Sequence, residues 1–191
     1  MTPIVLASTS PYRRELLHKL GLDFTAKSPI CDEDAYKAQI KEPLQLAQSL
    51  ARLKAESLAT SENCVIGGDQ VAALGLKILD KPGTFEKACE QLTEMQGKTH
   101  HLFTAICVIY QGTAHQILDV TEIEMRSLSR RQIEAYVKKD QPLDCAGAYK
   151  IEKSGLTLIK KLKSEDFSAI QGVPLIQLTA LLDQLGYEVP S

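Results

Sequence analysis

A chain of 191 residues with 44% hydrophobic side chains has enough apolar material to bury a full core in one domain, or in one domain with a small lobe, and this excludes a disordered chain. Its 22 basic and 24 acidic residues leave a net charge of -2, which excludes the global basic field of a nucleic-acid binder, so any anion site must be local. Five cysteines (Cys31, Cys64, Cys89, Cys107 and Cys145) are scattered and odd in number, a pattern that predicts free, buried thiols in a reducing compartment rather than a disulfide frame or a zinc knot.

Ile4 to Ala7 is a continuous apolar run suited to a buried strand. Ser10 can cap a helix whose first position suits Pro11, which places Tyr12, Arg13 and Arg14 in the opening turn. Cations there oppose the macrodipole. The two arginines therefore either point into water or face something negative, and a phosphate on the free backbone N–H groups would resolve the conflict. Leu16, Leu17 and Leu20 give this helix an apolar stripe that ends at Gly21, and Phe24 to Ser28 reads as a short strand. The segment from Pro29 to Lys41, with Asp32, Glu33 and Asp34 together, reads as an acidic loop. A second helix follows Pro43, with Leu46, Ala47, Leu50 and Leu53 on its buried face and Lys54 at the edge. Cys64 to Gly68 reads as a strand ending in two glycines, which delivers the Asp69 carboxylate, followed by Gln70, to the rim of a sheet.

After Lys81 and Pro82, Thr84 can cap a helix carrying Ala88, Leu92 and Met95 that closes at Gly97. His101 to Tyr110 and Ala114 to Arg126 predict two long strands joined by a tight turn, with a bulge where the apolar phase slips between Val120 and Ile123. Ser129 and Gln132 form a capping box for a helix ending near Lys139. A polar loop, CAGAYKIEKSG, precedes a strand around Leu156 to Leu162, and Pro174 opens a last helix with Leu178, Leu181, Leu182 and Leu185 on one side. Strands interspersed with helices, including one long hairpin, predict an α/β fold with a mixed, partly antiparallel sheet flanked by helices. No internal repeat or linker divides the chain, and no basic leader or apolar run of membrane-spanning length is present, so a single soluble cytoplasmic domain without membrane contact is expected.

There is no G-x-S-x-G elbow and no Walker-type phosphate loop. His100 and His101 are adjacent on a predicted strand, so they leave on opposite faces and cannot share a metal. What remains is a set of charges at element ends: Arg13 and Arg14, Asp32 and Glu33, Lys54, Asp69 and Lys81. Together they hold cations to cradle a polyphosphate and carboxylates to hold a hard divalent metal. On spacing alone, a phosphate site and a set of unrelated surface charges are equally good readings.

The motifs LASTSPYRRELL, CDE at 31 to 33, ARLKAES around Lys54, GGDQV at 67 to 71, DKP at 80 to 82, GKTHHLFTA at 97 to 105 and CAGAYKIE at 145 to 152 resemble the Maf family of nucleotide pyrophosphatases, often called septum-formation proteins. The resemblance spans nearly the whole chain. It implies a fold like that of inosine triphosphate pyrophosphatases, two lobes around a central cleft as a variant of the single domain, and a homodimer as the common assembly. It also implies hydrolysis of a small-molecule nucleoside triphosphate to the monophosphate and pyrophosphate with a divalent cation, Mg²⁺ or Mn²⁺. By resemblance, Ser8, Arg13, Lys54 and Lys81 handle phosphate, Glu33 and Asp69 hold the metal, Asp69 is the general base, and Thr104 supports the site from its strand.

Three positions bear on the substrate. Many relatives acting on uridine and thymidine triphosphates carry Arg after SP and Gln in the late loop, where this chain has Tyr12 and Glu152. With Gln70 after Asp69, the combination is similar to the subgroup that hydrolyses 7-methylguanosine triphosphate. Methylation at N7 makes the purine cationic, so Tyr12 gains cation–π stacking of about 0.5 to 2 kcal/mol. Glu152 can accept from the guanine N1–H and exocyclic amine. Two departures stand out: Lys153 replaces a glycine usual in the family, and the family's G-D-x-x-N-V-x-G-L-P pattern reads SEDFSAIQGVP. The competing readings are a nucleotide sensor or partner-binding protein without turnover, and a pyrimidine triphosphate pyrophosphatase.

Overall fold

The run Ile4–Ala7 forms β1 with all four side chains buried, the outcome expected of a strand covered on both faces. The computed structural model describes residues 2–190. After β1 come α1 (Pro11–His18), β2 (Phe24–Lys27), α2 (Glu33–Gln39), α3 (Pro43–Glu56), β3 (Cys64–Leu74), β4 (Lys77–Ile78) and α4 (Phe85–Met95). Then follow β5 (Thr99–Tyr110), β6 (Thr113–Met125), α5 (Arg130–Asp140), β7 (Ile159–Lys163) and α6 (Leu175–Gln184), with 3-10 turns at Ala146–Ala148, Gly155–Leu158 and Phe167–Gln171. The strands pair in the order β2-β1-β3-β5-β6-β7, with β4 on β3. β1 runs parallel to β2 and β3, whereas β4 is antiparallel to β3 and β7 to β6, so the sheet is mixed as the sequence predicts. No described helix is long and apolar enough to cross a membrane.

The cap signals act where the sequence places them. Ser10 accepts the Arg13 N–H, Thr84 accepts the Lys87 N–H, and Ser129 and Gln132 complete the reciprocal capping box. Gln111 and Gly112 join β5 to β6 with φ of 48° and 76°, the positive values that a two-residue hairpin connection needs.

The chain divides into two compact units. The first takes in the described residues up to Gln70, Phe103–Asp119 and those from Glu165 onward. Its core is built from Ile4, Leu6, Leu17, Ile66, Ile106 and Leu178. Here α3 lies so close to β3 that a Cβ on Gly67 would fall on the Ala51 carbonyl oxygen and within 2.5 Å of the Ala55 nitrogen. The second unit comprises Val71–Leu102 and Val120–Ser164. In it α4 packs on α5, and side chains brace the CAGAYKIEKSG loop: the Tyr136 hydroxyl accepts the Lys150 N–H at 2.9 Å, and Asp140 accepts the Ser154 N–H at 2.8 Å. His100 is fully buried there, its Nε2 3.0 Å from the Tyr149 hydroxyl.

Five expectations are corrected. The acidic segment is not all loop, because Asp32 accepts the N–H groups of Asp34 and Ala35 and starts α2, whose acids favour the positive end of the macrodipole. α2 has no buried residue, so no apolar stripe announced it. β3 does not end at the glycines; it runs six residues further, to Leu74, and Asp69 sits inside it. β6 keeps its phase: Ile117, Asp119, Thr121, Ile123 and Met125 are all buried, and the slip is only the placement of two polar residues inward while Val120 faces out. Its register shift falls instead between Glu124 and Met125, opposite β7. Gly155–Leu158 forms a 3-10 turn and delays β7 to Ile159. Finally, all five cysteines are free, but Cys31, Cys89 and Cys145 are only half-buried.

Gly67→Ala must push α3 off the sheet, so urea unfolding should show a loss of about 1–3 kcal/mol, the range for overpacked cores; an unchanged midpoint would contradict the close approach. Burial lowers the His100 pKa from about 6.5 to about 4. As pH falls the unfolded chain takes up the proton first, so this contribution is full above about pH 6.5 and is lost as pH falls towards 4, by roughly 3 kcal/mol. A pH series of urea midpoints on wild type and His100→Gln checks it, since the variant should lack that slope.

Candidate active site

Four elements of the first unit each contribute one charge to the neighbourhood of Asp69. Lys54 lies one turn beyond Leu50 on the stripe of α3 that faces the core, and it is buried, not at the helix edge as its neighbours in sequence suggest. Its Nζ is 2.7 Å from Asp69 Oδ1 and 3.0 Å from Glu33 Oε2. Asp69 comes from the interior of β3 and Glu33 from the first position of α2. Asp32, beside Glu33, is committed to capping α2.

Arg13 completes the set. Burial pulls its guanidinium pKa below the usual value, while the negative charges of Asp69 and Glu33 pull the other way. The two arginines thus part company: Arg13 turns inward and Arg14 is exposed. Asp69 and Glu33 supply negative charge in the neighbourhood of Arg13, while its Nε bonds elsewhere. Gly68 makes room for this side chain, since a Cβ there would lie 3.3 Å from Arg13 Nε and 2.8 Å from Ile106 Cδ1. Gly172, with φ of 111°, covers it from another element, and its carbonyl oxygen accepts from Arg13 Nε at 3.1 Å.

Ser8 is buried at the end of β1, where its Oγ accepts the Ser10 N–H at 3.1 Å and shapes the turn into α1. Tyr12 is half-buried in the first turn of α1. Gln70 follows Asp69 on β3, and its amide nitrogen donates to Thr104 Oγ1 and to the carbonyls of Ala169 and Ile170. Lys81 and Glu152 belong to the second unit, where both are exposed. The structure therefore brings together Arg13, Glu33, Lys54 and Asp69, sets Ser8, Tyr12 and Gln70 on the elements that carry them, and leaves Lys81 and Glu152 on the other unit. Sequence reasoning missed Gly68 and Gly172 as supports. The doubled glycine is the signal available for Gly68, and its meaning is close packing rather than a strand end.

The donor set suits a shared divalent ion rather than a protein cage. Among the described residues no three His, Cys, Asp or Glu side chains group to hold a metal. Two carboxylates do stand on Lys54, and each has a second oxygen without a hydrogen-bond partner among the described residues. One or two carboxylates completed by substrate phosphates is the usual way of binding Mg²⁺.

The sheet and this charge-balanced quartet define an α/β protein with an ionic centre beside the first turn of its first helix. Residues 3–185 match the Maf-like protein family, and the chain belongs to it. It is 48% identical to a 7-methyl-GTP pyrophosphatase of Bdellovibrio bacteriovorus, covering 94% of this chain and 95% of that relative. It is 43% identical to one of Pseudomonas putida over all of both chains, and 42% identical to one of Nitrosococcus oceani over 97% and 94%. Among solved structures, a HAM1 protein from Coxiella burnetii aligns with 96% of this chain and 100% of its own at a TM-score of 0.49 and 15% identity.

Removing the ammonium takes away the one cation in direct contact with both carboxylates and leaves Arg13 as their only remaining countercharge among the described residues. Lys54→Met should cost about 3–5 kcal/mol in urea unfolding at neutral pH, the range for breaking a buried pair from one side. A loss under about 1 kcal/mol would place the pair in open water.

Proposed function

We propose that this protein hydrolyses 7-methyl-GTP to the monophosphate and pyrophosphate. The observation that carries the reading is the Lys54 bridge between Asp69 and Glu33 with Arg13 alongside, in a chain close to half identical to a relative named for that activity. Hydrolysis of a phosphoanhydride is mostly a matter of neutralising oxygens and placing a water. Arg13 and Lys54 supply fixed positive charge for the phosphate oxygens. Because Lys54 takes Asp69 Oδ1, the aspartate is held in one orientation and Oδ2 is left to accept the proton of the attacking water. A Mg²⁺ or Mn²⁺ ion held by Glu33, Asp69 and the substrate would add Lewis-acid neutralisation at the same phosphates.

Base choice follows from the chemistry of the residues. Tyr12 offers its ring to a cationic purine. Glu152 offers a carboxylate to the guanine donors, and Lys81 a further cation, on the strength of the family resemblance. A neutral pyrimidine provides no cation for the ring and lacks the paired guanine donors.

The test is pyrophosphate release from a panel of canonical and modified triphosphates with Mg²⁺ or Mn²⁺, for wild type and Asp69→Asn. The expected result is turnover of the N7-methylated guanosine substrate and a fall of about 10²-fold or more in the variant, with binding kept, as befits loss of a general base. Equal rates on uridine triphosphate would remove the specificity. Binding without turnover on any substrate would make the protein a sensor.

A further inference from the structure

The Gln70 amide nitrogen has two hydrogens and three acceptors: Thr104 Oγ1 at 2.8 Å, the Ala169 carbonyl at 2.9 Å and the Ile170 carbonyl at 3.2 Å. All of its donor capacity goes to the protein, and none is left for a base. Thr104, fully buried, gives its own hydroxyl proton to the Ala169 carbonyl at 3.0 Å. The turn that receives these bonds is closed on itself, because the Asp166 carboxylate accepts the N–H groups of Ser168 at 2.9 Å and Ile176 at 2.7 Å. Ser168 Oγ accepts the Leu175 N–H at 2.9 Å. One residue beyond this 3-10 turn lies Gly172, whose carbonyl accepts from Arg13 Nε.

We propose that Gln70 is a positioning residue which, with Thr104, fixes the turn at 169–172 and through the Gly172 carbonyl orients the Arg13 guanidinium. Gln70 then acts at the phosphate end of the substrate, and its amide nitrogen donates nothing to the base. The physical logic is that of a hinge removed. An arginine side chain has several rotatable bonds, and anchoring Nε fixes the plane of the guanidinium so that its terminal nitrogens keep one direction. An anchor is only as stiff as its backbone. A five-residue 3-10 turn has poorer internal hydrogen bonds than an α-helix, so carbonyls tied down from β3 and β5 supply the stiffness that the turn lacks. This also gives a role to SEDFSAIQGVP, the segment in which the chain departs from its family's pattern: Asp166 and Ser168 close it, and Gly172 admits Arg13.

The catalytic part of the proposal rests on the pyrophosphatase reading, but its structural part does not, and the experiment separates them. The first measurement is hydrogen exchange of the Arg13 Nε–H by NMR on the full chain without ligand. Gln70→Met and Thr104→Val, which remove the donors while nearly keeping shape, should each speed exchange about tenfold or more, the factor expected for one lost hydrogen bond. Thr104→Ser, which keeps the hydroxyl, should stay at the wild-type rate. The second measurement is the steady-state kinetics of Gln70→Met. KM should rise about tenfold on both 7-methyl-GTP and GTP, with the ratio of their kcat/KM values unchanged. Unaltered Arg13 exchange in Gln70→Met and Thr104→Val overturns the proposal, as does a ratio that shifts in Gln70→Met but not in Thr104→Val. If Gln70→Met does not fold, the Val and Ser variants of Thr104 decide it. If wild type hydrolyses nothing, the pyrophosphatase reading fails and the exchange data still decide whether Gln70 positions Arg13.

Discussion

One ammonium group, Lys54 Nζ, holds two carboxylates that arrive from different elements, and the arrangement of the first unit follows from the need to satisfy it. A lysine removed from water is costly unless paired. Its position on the core-facing stripe of α3 means that the helix can dock on β3 only if Asp69 is there to receive it. Glu33 closes the second side, which gives α2 a reason to lie beside α3 although it buries no apolar residue. The same pair of carboxylates adds a favourable field at Arg13, which turns inward against its own helix dipole. Two cations and two anions leave no net local charge.

Glycine supplies the proximity that such a centre requires. Gly67 lets the backbone of α3 come against β3, and Gly68, the next residue and therefore on the other face of the strand, lets the Arg13 stem cross. These neighbours serve two close approaches on opposite sides of one strand. Thr104 and Gln70 extend the construction to the 167–172 segment, so that the arginine is held by glycine space on one side and by a carbonyl on the other. The rigidity is ionic in one half and neutral hydrogen bonding in the other.

Most of the architecture was legible in the chain because its signals are local. The strand at Ile4, the caps at Ser10, Thr84 and Ser129, and the hairpin at Gln111 each depend on residues within one turn of themselves. The misreadings have a common origin. α2 is set by a capping aspartate and a neighbouring charge rather than by an apolar stripe, and β3 continues past its glycines because those glycines serve packing partners far away in sequence. β6 looked out of phase only because Asp119 and Thr121 are inward-facing and polar.

The sequence by itself determined the elements, the mixed α/β class and, through ordered motifs, the residue types from which the ionic centre is assembled. It also named Arg13, Glu33, Lys54 and Asp69. Only the tertiary structure decided that Lys54 is buried rather than marginal, that Arg13 and Arg14 diverge, and that Gln70 spends its amide hydrogens on the 169–170 carbonyls. Periodicity and capping are interactions between near neighbours along a chain. An ion pair or a bond such as Arg13 to Gly172, 159 residues apart, exists only once folding has brought distant segments within about 3 Å.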